Sequence, residues 1–200
     1  EPSDHNAHPH ADCSGMIAVV HNGQLTNYQA LKKQLQADGH TFRSDTDTEV
    51  IAHLLEKFRT LGDDLVSAIQ KTTTLLVGGT FALVVIDAAT PDVIVAASMG
   101  SPLYLGLAED GLFFASDHRA FRAHTNRSIQ LQDGHMAVLS RSGQYHITTF
   151  ANEQVVHDIQ ELKYQLEDIE KNGFQTFMAK EIDEQPAVVE RVLDGRSTPE

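Results

Sequence analysis

Apolar and polar positions follow two different periods along this chain, and the change of period organises it. In the first third the spacing is helical. Residues 28–37 carry Leu31 and Leu35 on one face and run out at Gly39, the pattern of a helix stopped by glycine. Residues 48–61 repeat it more strongly, with Val50, Ile51, Leu54, Leu55 and Phe58 on one stripe and Gly62 as the stop. Residues 64–75 predict a third helix. Ahead of these, residues 16–20 read as a strand that breaks into a turn at Asn22-Gly23. Thr46-x-x-Glu49, just before the strongest helical stripe, has the spacing of a capping box.

After Gly78-Gly79 the runs become short and β-rich. Residues 80–86, 93–98, 103–107, 112–115, 128–131, 135–140 and 144–149 predict strands, with Ser142-Gly143 as a hairpin turn and a short helix at 117–123. The runs 82–86 and 136–139 are continuously apolar, which implies strands covered on both faces. Helices, a meander of strands and a helical end predict an α+β layering. From Asn152 the texture turns polar. Residues 155–173 read as a surface segment or linker, and 174–193 regain helical spacing through Phe177, Met178, Ile182, Val188, Val189 and Val192, with Pro186 expected to kink or restart the helix. The expected division is a domain over 1–151 and a linker with a helical tail over 152–200.

Composition narrows the function classes. The 200 residues are 41% hydrophobic and 22% charged, ordinary values for a globular protein. The net charge is −13, and no Lys/Arg cluster interleaved with aromatics appears, which argues against a nucleic-acid partner. No apolar run approaches the length of a membrane span, so no membrane partner is expected. A lone cysteine, Cys13, fits a reducing compartment, so the expected location is cytoplasmic. The chain opens on Glu1-Pro-Ser-Asp-His5 without a methionine and reads as the middle of a loop, so further sequence upstream is expected.

The candidate chemistry gathers at predicted strand and helix ends. Asn22 offers a carboxamide, Gly23 a backbone N–H free of side-chain bulk, and Asp47 a carboxylate. Each has a plainer reading: Asn22-Gly23 as a turn, and Asp47 as a charge complementing a helix N-terminus. His5, His8, His10, Asp12 and Cys13 do not follow a standard ligand spacing, so neither metal nor cofactor is assigned. His8 is expected to order the site loop and touch substrate, and Cys13 to be a buried or loop thiol.

His8-Pro-His10, His21-Asn22-Gly23-x-x-x-Asn27, Ser44-Asp-Thr-Asp47-Thr-Glu49, Gly100-Ser-Pro-Leu103 and Ala115-Ser-Asp117 together resemble the class II glutamine amidotransferases. The late stretch Phe177-Met-Ala-Lys-Glu181-Ile-Asp-Glu-Gln-Pro186 is similar to the end of the glutaminase half in the glutamine–fructose-6-phosphate aminotransferases, the glucosamine-6-phosphate synthases. The resemblance implies a four-layer αββα sandwich of the N-terminal-nucleophile hydrolase type with a C-terminal helical tail. It implies L-glutamine as substrate, hydrolysed to glutamate and ammonia, with the ammonia passing to a sugar isomerase domain that makes glucosamine 6-phosphate from fructose 6-phosphate, in a homo-oligomer. Asn22 and Gly23 match the oxyanion-hole positions, where losing one donor costs about 3 kcal/mol of barrier. Asp47 matches the carboxylate that holds the substrate α-ammonium, with Gly23 and His8 also at the substrate. The family's nucleophile is an N-terminal cysteine, which the resemblance places before Glu1 together with an arginine-bearing loop. Cys13 is therefore not the nucleophile by position, and the chain as given is expected to lack glutaminase activity. The alternative is a non-catalytic module of the same fold that senses glutamine or binds a protein.

Overall fold

The computed structural model describes residues 3–161 and 173–196, which belong to two compact units, Glu1–Leu162 and Lys163–Glu200. In the first, three helices, α1 (Tyr28–Ala37), α2 (Thr48–Thr60) and α3 (Leu65–Leu75), follow the short strand β1 (His10–Ala11) and the longer β2 (Ile17–Gln24). Then come β3 (Thr80–Asp87), β4 (Val93–Met99), β5 (Leu103–Leu107), β6 (Leu112–Ala115), β7 (Arg127–Leu131), β8 (His135–Ser140), β9 (Tyr145–Thr149) and β10 (Gln160–Glu161). Among the described residues these form an antiparallel six-stranded sheet, β1-β2-β3-β4-β8-β9, and a four-stranded sheet, β10-β7-β5-β6.

Two apolar layers hold the stack together. Leu35, Val50, Ile51, Leu54, Leu55 and Ile69 from the helices pack on Ile17, Val19, Phe81, Leu83, Val85, Val95 and Met136 of the larger sheet. Ala82, Ala96, Ala137 and Leu139 on its other face meet Leu103, Leu105, Ile129 and Leu131 of the smaller sheet. The continuous apolar runs of β3 and β8 have this cause, since alternate residues feed opposite layers. Burying each large aliphatic side chain on α2 contributes roughly 1.5–3 kcal/mol. On the outer face of the smaller sheet a 3-10 turn, His118–Phe121, sets Phe121 against Gly106, where a Cβ would stand 2.7 Å from its ring.

Three expectations need correction. Asn22-Gly23 is not a turn: β2 runs through both residues, with Asn22 opposite Ala82 and Gly23 opposite Phe81, and the chain turns only at Thr26. Pairing along β3 outweighs the local turn preference. Second, α4 (Phe177–Arg196), the helix of the other unit, continues across Pro186 without a restart, because the helical φ of proline is retained even though one backbone donor is lost. Third, the polar stretch after Asn152 includes β10, whose Gln160 and Glu161 pair with Ser128 and Arg127; backbone pairing at a sheet edge does not require apolar side chains. The remainder of that stretch, 162–172, lies outside the described residues. On its second edge β2 is paired by β1 only at Ala18 and Val19, so that among the described residues Val20–Gln24 have no strand on that side. No helix among the described residues is long and apolar enough to cross a membrane.

Candidate functional site

The N-terminus of α2 is bound to the end of β2 by side chains rather than by helix capping. Asp47, the residue before α2, accepts a hydrogen bond from the Leu25 backbone N–H at 2.7 Å, just past Gln24 of β2. Thr48 Oγ1 pairs with His21 Nδ1 at 3.0 Å and with His8 Nε2 at 3.4 Å. Thr46 Oγ1 pairs with His10 Nε2 at 3.1 Å. The segment carrying His8 and His10 is thus docked on the loop before α2, and Asn6 Oδ1 extends the contact by accepting from the Asp45 N–H at 3.0 Å.

The expected capping box is absent. Glu49 is buried and accepts from the Arg43 N–H, the Ser44 N–H and the Ser44 hydroxyl, each at 2.7 Å. The Ser44 donors would otherwise be buried without partners, and together with the Arg43 N–H they claim the carboxylate ahead of Thr46. Burial pushes the Glu49 carboxyl upward, but the Ser44 and Arg43 hydrogen bonds outweigh it and hold the group below its ordinary range. His21 is lowered from the usual imidazole value by burial, against the opposing pull of Asp47, and its Nε2 has no hydrogen-bond partner among the described residues. His10 is lowered by burial and by neighbouring His8.

Beside this network a cavity of about 190 Å³ lies between the two sheets, lined by His8, His21 and Asn22 on one side and Leu103, Phe114 and Ser116 on the other. Asn22 and His8 line it directly. Gly23 follows Asn22 on β2, and Asp47 is joined to the same strand end through Leu25. Gly23 has φ +146° and packs on β3 so closely that a Cβ would stand 2.1 Å from the Thr80 carbonyl oxygen. Of the four expected site residues, His8 and Asn22 wall the cavity, while Gly23 and Asp47 adjoin it along the chain and through Leu25 without being cavity walls. A larger concavity of about 690 Å³ lies at the other end of the strands, formed by the turns around Asp92, Glu109 and Ser142. It holds an exposed Arg141–Asp92 ion pair at 3.4 Å and no grouping of nucleophile and base.

Cys13 is not part of this neighbourhood. It sits in the loop between β1 and β2 and faces His40, His53 and Glu56, not His5, His8 or His10. Burial is the main cause that pushes its thiol upward, so the group is held protonated. His40, His53 and Glu56 were not singled out in the sequence. The signal was there in part: His53-x-x-Glu56 sits on one helix at a spacing that puts both side chains on one face.

Comparison with known proteins bears on the same motifs. Residues 1–176 match the glutamine amidotransferase domain family. The chain is 44% identical over 200 residues to a glutamine–fructose-6-phosphate aminotransferase (isomerizing) of Chlorobaculum tepidum, covering 98% of this chain and 32% of that protein. It is 45% identical over 198 residues to the enzyme of the same name from Halobacterium salinarum, again 98% of this chain and 32% of the relative. The chain thus spans about a third of the length of the curated relatives it matches. Among solved structures, the glutamine phosphoribosylpyrophosphate amidotransferase of B. subtilis, complexed with ADP and GMP, superposes with a TM-score of 0.63 at 26% identity, over 76% of this chain and 33% of that one. The α+β sandwich is therefore of the N-terminal-nucleophile type, as expected. On this match of sequence, architecture and motif order, the chain belongs to the glutamine amidotransferase domain family.

Proposed function

We propose that this chain is the glutaminase part of a longer glutamine–fructose-6-phosphate aminotransferase. L-Glutamine lies at the end of β2, its α-ammonium on Asp47 and its side-chain amide toward Asn22 and Gly23, with His8 at the cavity wall. When a thiolate attacks the amide carbon, negative charge develops on the carbonyl oxygen. The Asn22 carboxamide and the Gly23 N–H donate to that oxygen, and a fixed pair of donors is worth several kcal/mol of barrier because no solvent need reorganise. Ammonia then leaves for the sugar isomerase domain of the same homo-oligomeric protein, where it converts fructose 6-phosphate to glucosamine 6-phosphate. The second unit forms the link toward that domain.

The observation that supports this reading best is the 2.7 Å bond from Leu25 N–H to Asp47. It holds a carboxylate at a fixed place relative to a strand whose next residues back include Gly23 and Asn22, and an amino acid needs that combination of acid and amide groups. Cys13 does not supply the nucleophile. Its partner Glu56 lies nine residues along α2 from Asp47, about 13 Å along the helix axis. The test is calorimetric titration with L-glutamine and, in parallel, ammonia release from a version carrying the family's N-terminal cysteine segment. Saturable binding with hydrolysis only in the extended version supports the proposal. Binding that is unchanged in Asp47→Ala would remove that residue from its role, and binding without hydrolysis in the extended version would favour a sensing module.

A further inference from the structure

Four side chains from three separate segments converge away from the glutamine site. Cys13 comes from the β1–β2 loop, His40 from the loop after α1, and His53 and Glu56 from α2. One atom of each takes part: Cys13 Sγ, His40 Nδ1, His53 Nδ1 and Glu56 Oε2 all lie within 4.8 Å of one another. Sγ is 3.7 Å from His40 Nδ1 and 3.5 Å from His53 Nδ1, while Oε2 is 2.8 Å and 3.2 Å from the same two nitrogens. A tetrahedral zinc ion with one thiolate at about 2.3 Å and N/O ligands at about 2.0–2.2 Å spaces its donors roughly 3.3–3.8 Å apart, so small movements would seat it.

The mutual approach of the donor atoms argues for a cation at the centre. Each imidazole Nδ1 faces both Sγ and Oε2, but a neutral ring has a single N–H to give. On His53, Nε2 lies 3.5 Å from Glu49 Oε1 but makes no hydrogen bond among the described residues, and both side chains are almost fully buried. His53 Nδ1 faces Sγ and Oε2, the same two atoms that His40 Nδ1 faces, so that the four donors surround one point. A carboxylate behind a histidine is also the arrangement that orients a metal-binding imidazole. The loop that presents Cys13 is itself built firmly: Asp12 accepts from the Ile17 N–H at 2.9 Å and from the Ser14 hydroxyl at 2.5 Å.

We propose that Cys13, His40, His53 and Glu56 bind one zinc ion. Thiolate, two imidazoles and a carboxylate are a donor set suited to zinc, and with all four positions supplied by protein no place remains for a reacting water. The site is structural: it ties the β1–β2 loop and the α1–α2 connection to α2, whose other end carries Asp47. Binding replaces the Cys13 thiol proton, which is released to solvent.

The whole chain can be tested directly. Chelated and then titrated with Co²⁺, it takes up one equivalent and shows the intense visible bands of tetrahedral cobalt with a thiolate-to-metal charge-transfer band, both bleached by Zn²⁺. In Cys13→Ser the charge-transfer band disappears. His40→Asn, whose ring is partly exposed, weakens zinc by more than the ~10–100-fold typical of losing an outer partner. Zinc raises the thermal midpoint of the parent chain and leaves that of Cys13→Ser where it was. A folded chain, judged by far-UV circular dichroism, that shows only the weak spectrum of aqueous cobalt would overturn the proposal. So would a charge-transfer band that survives in Cys13→Ser. The cobalt spectrum is read on the unaltered chain and does not depend on how any variant folds.

Discussion

Replacing Gly23 with alanine probes the junction of β2 and β3 beside the proposed glutamine site. The new Cβ would stand 2.1 Å from the Thr80 carbonyl oxygen, 2.7 Å from its carbon and 2.9 Å from Phe81 Cα, all backbone atoms of the paired strand. No side chain can swing aside, so β2 and β3 must separate. The backbone at φ +146° adds a second cost, since it lies where residues with a Cβ rarely go. Strain of this kind costs about 1–3 kcal/mol and overpacking a further 1–3 kcal/mol, so the expected loss is about 2–6 kcal/mol. Against a total stability of roughly 5–15 kcal/mol that is a large fraction. Gly15→Ala is the control: its φ of +75° carries the backbone cost, but nothing lies within 4 Å of its Cβ. Urea unfolding monitored by circular dichroism should place Gly15→Ala about 1 kcal/mol below the parent and Gly23→Ala well below both. Equal midpoints for the two variants would refute the close approach of β2 to β3 as the reason for glycine here.

Asp47→Asn keeps an acceptor for the Leu25 N–H but removes the charge; it should fold normally and bind glutamine roughly 10–100-fold more weakly by calorimetry, the scale of a lost hydrogen bond to a charged group. Asp47→Ala should in addition lose about 1–3 kcal/mol in a urea titration, because the Leu25 donor is left without its partner. Arg59 pairs with buried Asp87 at 2.7 Å, and Arg59→Ala should cost about 2 kcal/mol, less than the 3–5 kcal/mol of a fully buried pair because the arginine keeps some solvent contact. His10 and His21 both titrate below the unfolded imidazole value of 6.5, so the folded state takes up fewer protons; stability is intact above about pH 6.5 and declines as the pH falls below it. The urea midpoint should therefore drop between about pH 7.5 and pH 5.5, and the drop should shrink in His10→Asn.

Much of this architecture is legible in the hydrophobic pattern, and the misses have physical causes. Residues 48–61 were readable as a helix because Val50, Ile51, Leu54 and Leu55 all turn to one layer, and α2 ends within a residue of the expected stop. Strands β3 and β8 were readable as doubly covered because Phe81 and Ala82, or Met136 and Ala137, serve different layers. Asn22-Gly23 misled because a dipeptide that favours turns in isolation is held straight by the register with Ala82 and Phe81. Thr46 and Glu49 misled because a capping box is a local bargain, and the Arg43 amide and the buried Ser44 amide claimed the carboxylate first. Of the site, the motif residues were visible, while the grouping of Cys13 with His40, His53 and Glu56 depends on chain folding across 43 positions and has only the His53–Glu56 spacing to announce it.

The half-bare flank of β2 has a practical consequence. From Val20 to Gln24 a row of main-chain donors and acceptors faces outward with no neighbouring strand among the described residues. Such a row is a template: any extended peptide of suitable shape can lie down along it, including the same flank of a second molecule. Concentrated solutions of the isolated polypeptide should drift toward dimers and larger species. A short extended peptide docked there would sit beside Asn22 and Gly23, and would offer a handle on the proposed glutamine site from its side.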